Sequence, residues 1–178
     1  MAFELSPDRK AVLDDLIPRY PNKKALTLPA LHLCQEQEGW ISPEVTDFVA
    51  RVLDVSTAHV QGVVTFYTMY QQKPIGRRTI WVCRTLSCDM MGAADIQHHL
   101  EKRLGCHVGE TTKDGEFTLL KAECLAACGQ APMMQLDDQY FENLTPESVD
   151  RILDEARKRT QPKDSKITWS PVTARRGG

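Results

Sequence analysis

The sequence predicts an α/β protein in two parts, a small all-helical stretch followed by a compact unit of alternating strands and helices. Three observations predict it. Apolar residues recur at helical spacing up to Tyr70. The segment QQKPIGRR (71–78) then brings proline, glycine and charge together. Beyond it, β-branched and aromatic runs alternate with helical stripes. We place the helical bundle at 1–75, the α/β unit at 76–158 and a polar, basic tail at 159–178.

In the first part, Ser6-Pro7 offers an N-cap with proline at the first helical position, and Val12, Leu13, Leu16 and Ile17 follow at helical spacing until Pro18 ends the run. A second helix begins near Thr27 to Pro29, carries Leu31, Leu33 and Cys34, and stops at Gly39. Ser42-Pro43 repeats the cap, ahead of the stripe Val45, Phe48, Val49, Val52 and Leu53. Ser56 opens a fourth segment, with Val60, Val63, Val64 and Tyr67 on one face. Its run VVTFY would suit a strand, but we read helix.

In the second part, TIWVC (79–83) reads as a strand. Ala93, Ile96, Leu100 and Leu104 form a helical face closed by Gly105. Asp114-Gly115 marks a tight turn into a strand that runs to Cys124, MMQLDDQYF reads as two short strands around Asp137-Asp138, and Thr145-Pro146 caps a last helix with Val149, Ile152, Leu153 and Ala156. That order predicts one sheet covered by helices, a small sandwich of the thioredoxin-like kind. From Arg157 onward the chain turns polar and basic. We read the tail as a solvated segment, with a partner-binding extension as the alternative.

The hydrophobic share of 42% is enough for a real core. A formal net charge of −2 gives no global pull toward nucleic acid. No apolar run approaches the roughly 20 residues that cross a bilayer, so we expect no direct membrane insertion. The start MAFELSPDRKAVLDDL resembles neither a secretion signal nor a transit peptide, which predicts a cytoplasmic protein. No glycine-rich dinucleotide fingerprint or phosphate loop follows any predicted strand, so this chain should not bind NADH or FMN alone.

The chemistry lies in the cysteines. Cys83 and Cys88 flank four residues, and Cys124 and Cys128 flank three. A reducing compartment disfavours a disulfide scaffold, and a thioredoxin-type dithiol uses a two-residue gap that neither pair has. Each pair falls where a strand gives way to a loop. If those strands are neighbours, their loops share one edge and four thiolates can converge. Spacing alone leaves a structural zinc clamp and a 2Fe-2S cluster tied. The small residues Gly92, Ala93, Ala126, Ala127 and Gly129 favour the cluster, because its negative sulfurs need backbone N–H groups close by. A zinc-stabilised interaction domain, with the metal on the same four cysteines, stays open as the alternative from another class.

These cysteines sit inside longer stretches, PALHLCQEQEGWIS, VQGVVTFYTMYQQKPIG, VCRTLSC, ECLAACGQAPMMQ and YFENLTPE. Through them the chain, from about residue 5 to about residue 158, resembles the NuoE-type subunit of bacterial NADH:quinone oxidoreductase, respiratory complex I. That family is a thioredoxin-like 2Fe-2S ferredoxin domain preceded by a small helical domain. The resemblance implies one 2Fe-2S cluster held by Cys83, Cys88, Cys124 and Cys128, and no catalytic residue in this chain. It implies a heterodimer with a flavoprotein subunit that binds FMN and NADH, contacts with other peripheral-arm subunits, and single-electron exchange with that flavin. In the family this cluster lies beside the main wire to quinone, where a buffering role is a hypothesis. The oxidoreductase activity would belong to the assembly, held at the cytoplasmic side of the inner membrane. Resembling subunits also serve soluble NAD-linked hydrogenases and formate dehydrogenases. One departure stands out: the family usually has glycine where this chain has Ala126.

The remaining candidates have blander readings. Cys34 reads as a small buried hydrophobe and Cys106 as a spectator. At least one of His98 and His99 should face solvent, as should Arg84 and Asp89, although the last two could tune the charge of a cluster. Met90, Met91, Met133 and Met134 read as core, with a cover over the cluster as the alternative; most aromatic residues of GVVTFYTMY also read as core, with a face toward a partner subunit as theirs. Pro132 stands where thioredoxin-like folds often keep a cis proline, an idea that a trans Ala131-Pro132 peptide would remove.

Overall fold

The computed structural model describes residues 3–159, so the tail from 160 to 178 lies outside the described residues. The chain divides into two compact units, one running to Pro74 and one beginning at Ile75. The first holds helices α1 (Pro7–Leu16), α2 (Thr27–Glu38), α3 (Pro43–Leu53) and α4 (Thr57–Phe66). Two of its starts are capped as their sequences predict: the Ser42 hydroxyl accepts from the Val45 N–H at 3.2 Å and the Ser56 hydroxyl from the His59 N–H at 3.2 Å. Ser6 makes no such side-chain cap; instead its N–H donates to Gln37 Oε1 at 2.8 Å. Proline at the first helical turn starts α1 without that bond. The fourth segment is a helix, and Leu13, Leu31, Cys34, Val45, Val49, Leu53, Val60 and Val64 form the core.

The second unit carries β1 (Arg78–Cys83), α5 (Leu86–Met90), α6 (Ala93–Leu104), β2 (Phe117–Ala122), β3 (Met134–Leu136), β4 (Gln139–Phe141) and α7 (Pro146–Lys158). The sheet order is β2-β1-β3-β4. β1 and β2 are parallel, with Cys83 opposite Ala122, whereas β3 runs antiparallel to β1, with Met134 opposite Val82. Ile80, Val82, Phe117, Leu119, Met134 and Leu136 pack with Ile96 and Leu100 of α6 and with Val149 and Leu153 of α7. Burial of these side chains is the main stabilising term for the unit. A capping box starts α7, the Thr145 hydroxyl accepting from the Ser148 N–H at 3.2 Å and the Ser148 hydroxyl from the Thr145 N–H at 2.8 Å. The Ala131-Pro132 peptide is cis, as Pro132 suggested.

Several sequence expectations are corrected. β2 ends at Ala122, two residues before Cys124, which therefore lies in the following loop. Cys88 sits within the short helix α5, which a five-residue element has too little periodicity to announce. Arg78, read as part of a charged connector, opens β1 and is buried. Met133 and Met134 are core, but Met90 and Met91 are 77% and 62% exposed, because α5 buries Cys88 and nothing else. Phe66 is also exposed, at the last position of α4, while Tyr70 is buried with its hydroxyl donating to the Leu28 carbonyl at 2.9 Å.

Candidate functional site

Sheet topology brings the cysteines to one edge. Because β1 and β2 are parallel, their C-terminal ends lie side by side, and because β3 is antiparallel to β1 its first residue meets the same end. The Cys83 N–H donates to the Met133 carbonyl at 3.2 Å and the Arg84 N–H to the Ala122 carbonyl at 3.2 Å, tying all three segments together. Cys83 closes β1, Cys88 follows on α5, Cys124 lies in the loop after β2, and Cys128 opens a 3-10 turn, Cys128–Gln130, that leads to Pro132 and β3. A small apolar patch of Cys83, Cys88, Ala93, Ala131 and Met133 underlies this edge, with Leu125 and Ala127 packed against it.

The four thiols are unequal. Cys83 and Cys88 are buried, Cys124 and Cys128 are exposed, and none is in a disulfide. Burial raises the pKa of Cys83, but hydrogen bonds from the Thr85 and Leu125 N–H groups, with the Cys88 thiol and the Thr85 hydroxyl, outweigh it and leave the group below its ordinary value. Burial pushes Cys88 up to about 11; its bond to Cys83 adds to the rise and the Met133 N–H opposes it. Cys83 is thus the more acidic thiol of the inner pair. In the outer pair, the Ala126 N–H donates to Cys124 Sγ at 3.3 Å. Backbone N–H groups therefore reach Cys83, Cys88 and Cys124, as a negatively charged iron-sulfur group requires.

Among the described residues, no three His, Cys, Asp or Glu side chains stand close enough to hold a metal ion. The edge holds the inner pair in contact and turns the outer pair toward solvent. By donor chemistry the set fits a 2Fe-2S group: four free thiols at one edge, with N–H groups aimed at the sulfurs and small side chains around them.

The neighbouring candidates sort themselves. Arg84 is ion-paired with Glu123, whose carboxylate accepts from its Nε at 3.1 Å, so the pair bridges the loops that carry the two cysteine pairs. Asp89 and His98 are exposed, and His99 Nε2 lies 3.0 Å from Asp150 Oδ1. Cys34 is buried in the helical core, where desolvation pushes its thiol up to about 12. Cys106 is buried as well. The N–H donors at Thr85, Leu125, Met133 and Ala126 are invisible in the sequence, since backbone direction leaves no mark on residue type. Ala126, with φ +62°, is the partial exception: glycine in that place is the usual sign of such a backbone.

Comparison with known proteins bears on the same residues. Residues 13–157 match the family "Thioredoxin-like [2Fe-2S] ferredoxin". The chain is 38% identical over 158 residues to the E subunit of NADH-quinone oxidoreductase from Rickettsia bellii (strain RML369-C), covering 87% of this chain and 95% of that one. It is 36% identical over 153 residues to the corresponding protein of Escherichia coli (strain K12), covering 86% and 92%. Its fold resembles a chain of an NAD+-reducing [NiFe]-hydrogenase in the air-oxidized state with a TM-score of 0.66 at 18% identity, over 80% of this chain. It spans about a quarter of that hydrogenase chain, 24%. The chain therefore belongs to the thioredoxin-like 2Fe-2S ferredoxin family, in the branch of the NADH-quinone oxidoreductase E subunits.

Proposed function

We propose that this chain is an electron-transfer subunit of an NADH:quinone oxidoreductase, in which Cys83, Cys88, Cys124 and Cys128 hold one 2Fe-2S cluster. Its partner in a heterodimer is the subunit that binds FMN and oxidises NADH. The unit from Ile75 carries the electron site, and catalytic turnover belongs to the assembly. The observation that carries this reading is the edge where β1, β2 and β3 meet, with four unpaired cysteines around it and N–H groups directed at the sulfurs. A bound cluster would supply a store for one electron and no hydride chemistry. The chain's own residues do the rest. Four thiolates bind, Met133 and Ala131 floor the site and keep water from its inner side, and the N–H groups stabilise negative charge. No helix among the described residues is long and apolar enough to cross a membrane, so the chain reaches the inner membrane through its partners.

A second reading, the equivalent subunit of a soluble NAD-linked hydrogenase or formate dehydrogenase, draws on the name of the hydrogenase whose fold this chain shares. Copurifying partners distinguish the two. The deciding experiment for the site is EPR of anaerobically purified chain, as isolated and after dithionite, with iron, zinc and acid-labile sulfide assayed on the same sample. We expect a signal in the reduced sample alone, from one spin per two irons. A colourless protein with stoichiometric zinc and no sulfide would overturn the electron-carrier reading in favour of a zinc-stabilised interaction domain.

A further inference from the structure

We infer that Ala126 is a positioning residue for the electron site: its left-handed backbone lets the N–H stay on the Cys124 sulfur, and that bond helps set the potential at which the site accepts an electron. The inference rests on the 2Fe-2S reading above.

Four non-glycine residues among those described have positive φ: Asp54, Ala126, Asp137 and Asn143. Asp and Asn tolerate this region because their short polar side chains bond locally. Here each also has a structural reason. Asp54 is the C-cap of α3, Asp137 accepts from the Thr79 N–H at 2.9 Å, and Asn143 donates to Gln130 Oε1 at 2.6 Å. Ala126 has no such side chain, and it is exposed, so apolar burial does not hold it in place either. What its conformation does secure is visible on both sides. Leu125 and Ala127 pack against the buried patch of Cys83, Cys88 and Met133, while the Ala126 N–H points back to Cys124 Sγ at 3.3 Å.

The φ angle is the rotation between a residue's own N–H and the chain that follows. With the N–H fixed on Cys124, φ +62° is what turns Ala127 inward and brings Cys128 round. A residue that refuses positive φ must give up either the N–H bond or the inward turn. Cys124 is solvent-exposed, so this N–H is a fixed dipole at a sulfur otherwise facing water. Reduction adds one negative charge, so a donor at the sulfur favours the reduced form and raises the potential.

The test is a redox titration followed by EPR on the full chain carrying its reconstituted centre, comparing wild type with Ala126→Gly, Ala126→Asn, Ala126→Val and Ala126→Thr. Glycine and asparagine accept positive φ, and β-branched residues do not. We expect Ala126→Gly and Ala126→Asn to keep the reduced-to-oxidised ratio at a fixed ambient potential within about twofold of wild type. Ala126→Val and Ala126→Thr should shift it about tenfold toward the oxidised form, which is 59 mV for one electron. Equal potentials in all five chains, or glycine departing as far as valine, would overturn the proposal. Should the β-branched chains take up no cluster, a second measurement decides. In chain labelled with 15N-alanine, the reduced centre should show a 15N coupling that vanishes in Ala126→Gly. Ala127 and Ala131 lie at the same edge and contribute equally to both chains, so a spectrum that Ala126→Gly leaves unchanged, or a wild type with no 15N coupling, overturns the assignment. A wild-type chain with no iron-sulfur signal would instead sink the underlying reading, so the two failures are distinguishable.

Discussion

Replacing Arg78 with methionine removes a buried cation of comparable length, and its cost follows from the contacts. The side chain is 2% exposed; Nε donates to Glu116 Oε1 at 3.1 Å, Nη1 to Asp137 Oδ2 at 3.2 Å, and Nη2 to the Arg159 carbonyl. Each charge-assisted hydrogen bond contributes about 1.5–3 kcal/mol. Without the guanidinium, Asp137 loses this cation and Glu116 keeps only the looser pair with Arg77 at 3.8 Å; both carboxylates are 19% exposed. Partial exposure lets water recover some of the loss, and the methionine keeps apolar contact, so about 3 kcal/mol is expected, at the low end for breaking a buried pair. Native-state hydrogen exchange of peptides spanning β1 reads this locally: at 1.4 kcal/mol per decade, β1 amides that exchange through opening of the unit should do so roughly a hundredfold faster. Arg78→Lys, which keeps the charge but loses the fork, should fall between. A change under about threefold, roughly 0.7 kcal/mol, would refute the reasoning and mean that water and the remaining partners compensate both carboxylates.

Other perturbations have equally definite outcomes. Asp114 is held at about 2 by hydrogen bonds from the Thr112 hydroxyl and the Glu116 N–H, with the Arg157 guanidinium adding to them. A depressed folded pKa adds stability above the unfolded value of about 3.9 and loses it as pH falls toward 2. Asp114→Asn should therefore lower Tm at pH 7, with the difference from wild type narrowing between pH 4 and pH 2; a constant difference would contradict this. Tyr70→Phe strips the hydroxyl that donates to the Leu28 carbonyl and should cost about 1 kcal/mol in urea unfolding, with no effect on iron content. Leu100→Ala opens a cavity between α6 and the sheet and should cost about 2–5 kcal/mol. Cys83→Ser, made at a buried N–H-bonded position, should abolish retention of iron and sulfide under the EPR conditions above, whereas Cys34→Ser should leave iron content unchanged.

The sequence is most legible where a single residue type has one common local use. Ser42, Ser56 and Thr145 before helices, and Gly39 and Gly105 after them at φ +83° and +67°, sit where their side chains or their freedom from a Cβ would place them. Cys83 can be placed at a strand end because the run TIWV stops beside it, whereas β2 already ends at Ala122, two residues before Cys124. What stays hidden depends on direction rather than identity. Nothing in residue type says that Cys88 is buried while Cys124 is exposed, because that depends on how α5 and the loop after β2 lie on the edge. Met90 and Met91 mislead because an apolar pair suggests a core face, and a five-residue helix has room to bury little. Arg78 misleads for the opposite reason: next to Arg77 and Gly76 it looks like a connector, and its buried partners Glu116 and Asp137 are distant in sequence.

The antiparallel docking of β3 on β1 also sets a timetable for biosynthesis. Both cysteine pairs emerge from the ribosome before residues 134–136 emerge to complete β1, and before α7 emerges to cover the sheet. Through that interval the chain carries its thiols without the edge that separates a buried pair from an exposed one, and α/β units of this kind fold as wholes. A site that needs the finished edge is complete only after β3 has docked on β1. Until then nothing in the fold holds Cys83 and Cys88 buried and in contact, or turns Cys124 and Cys128 toward solvent.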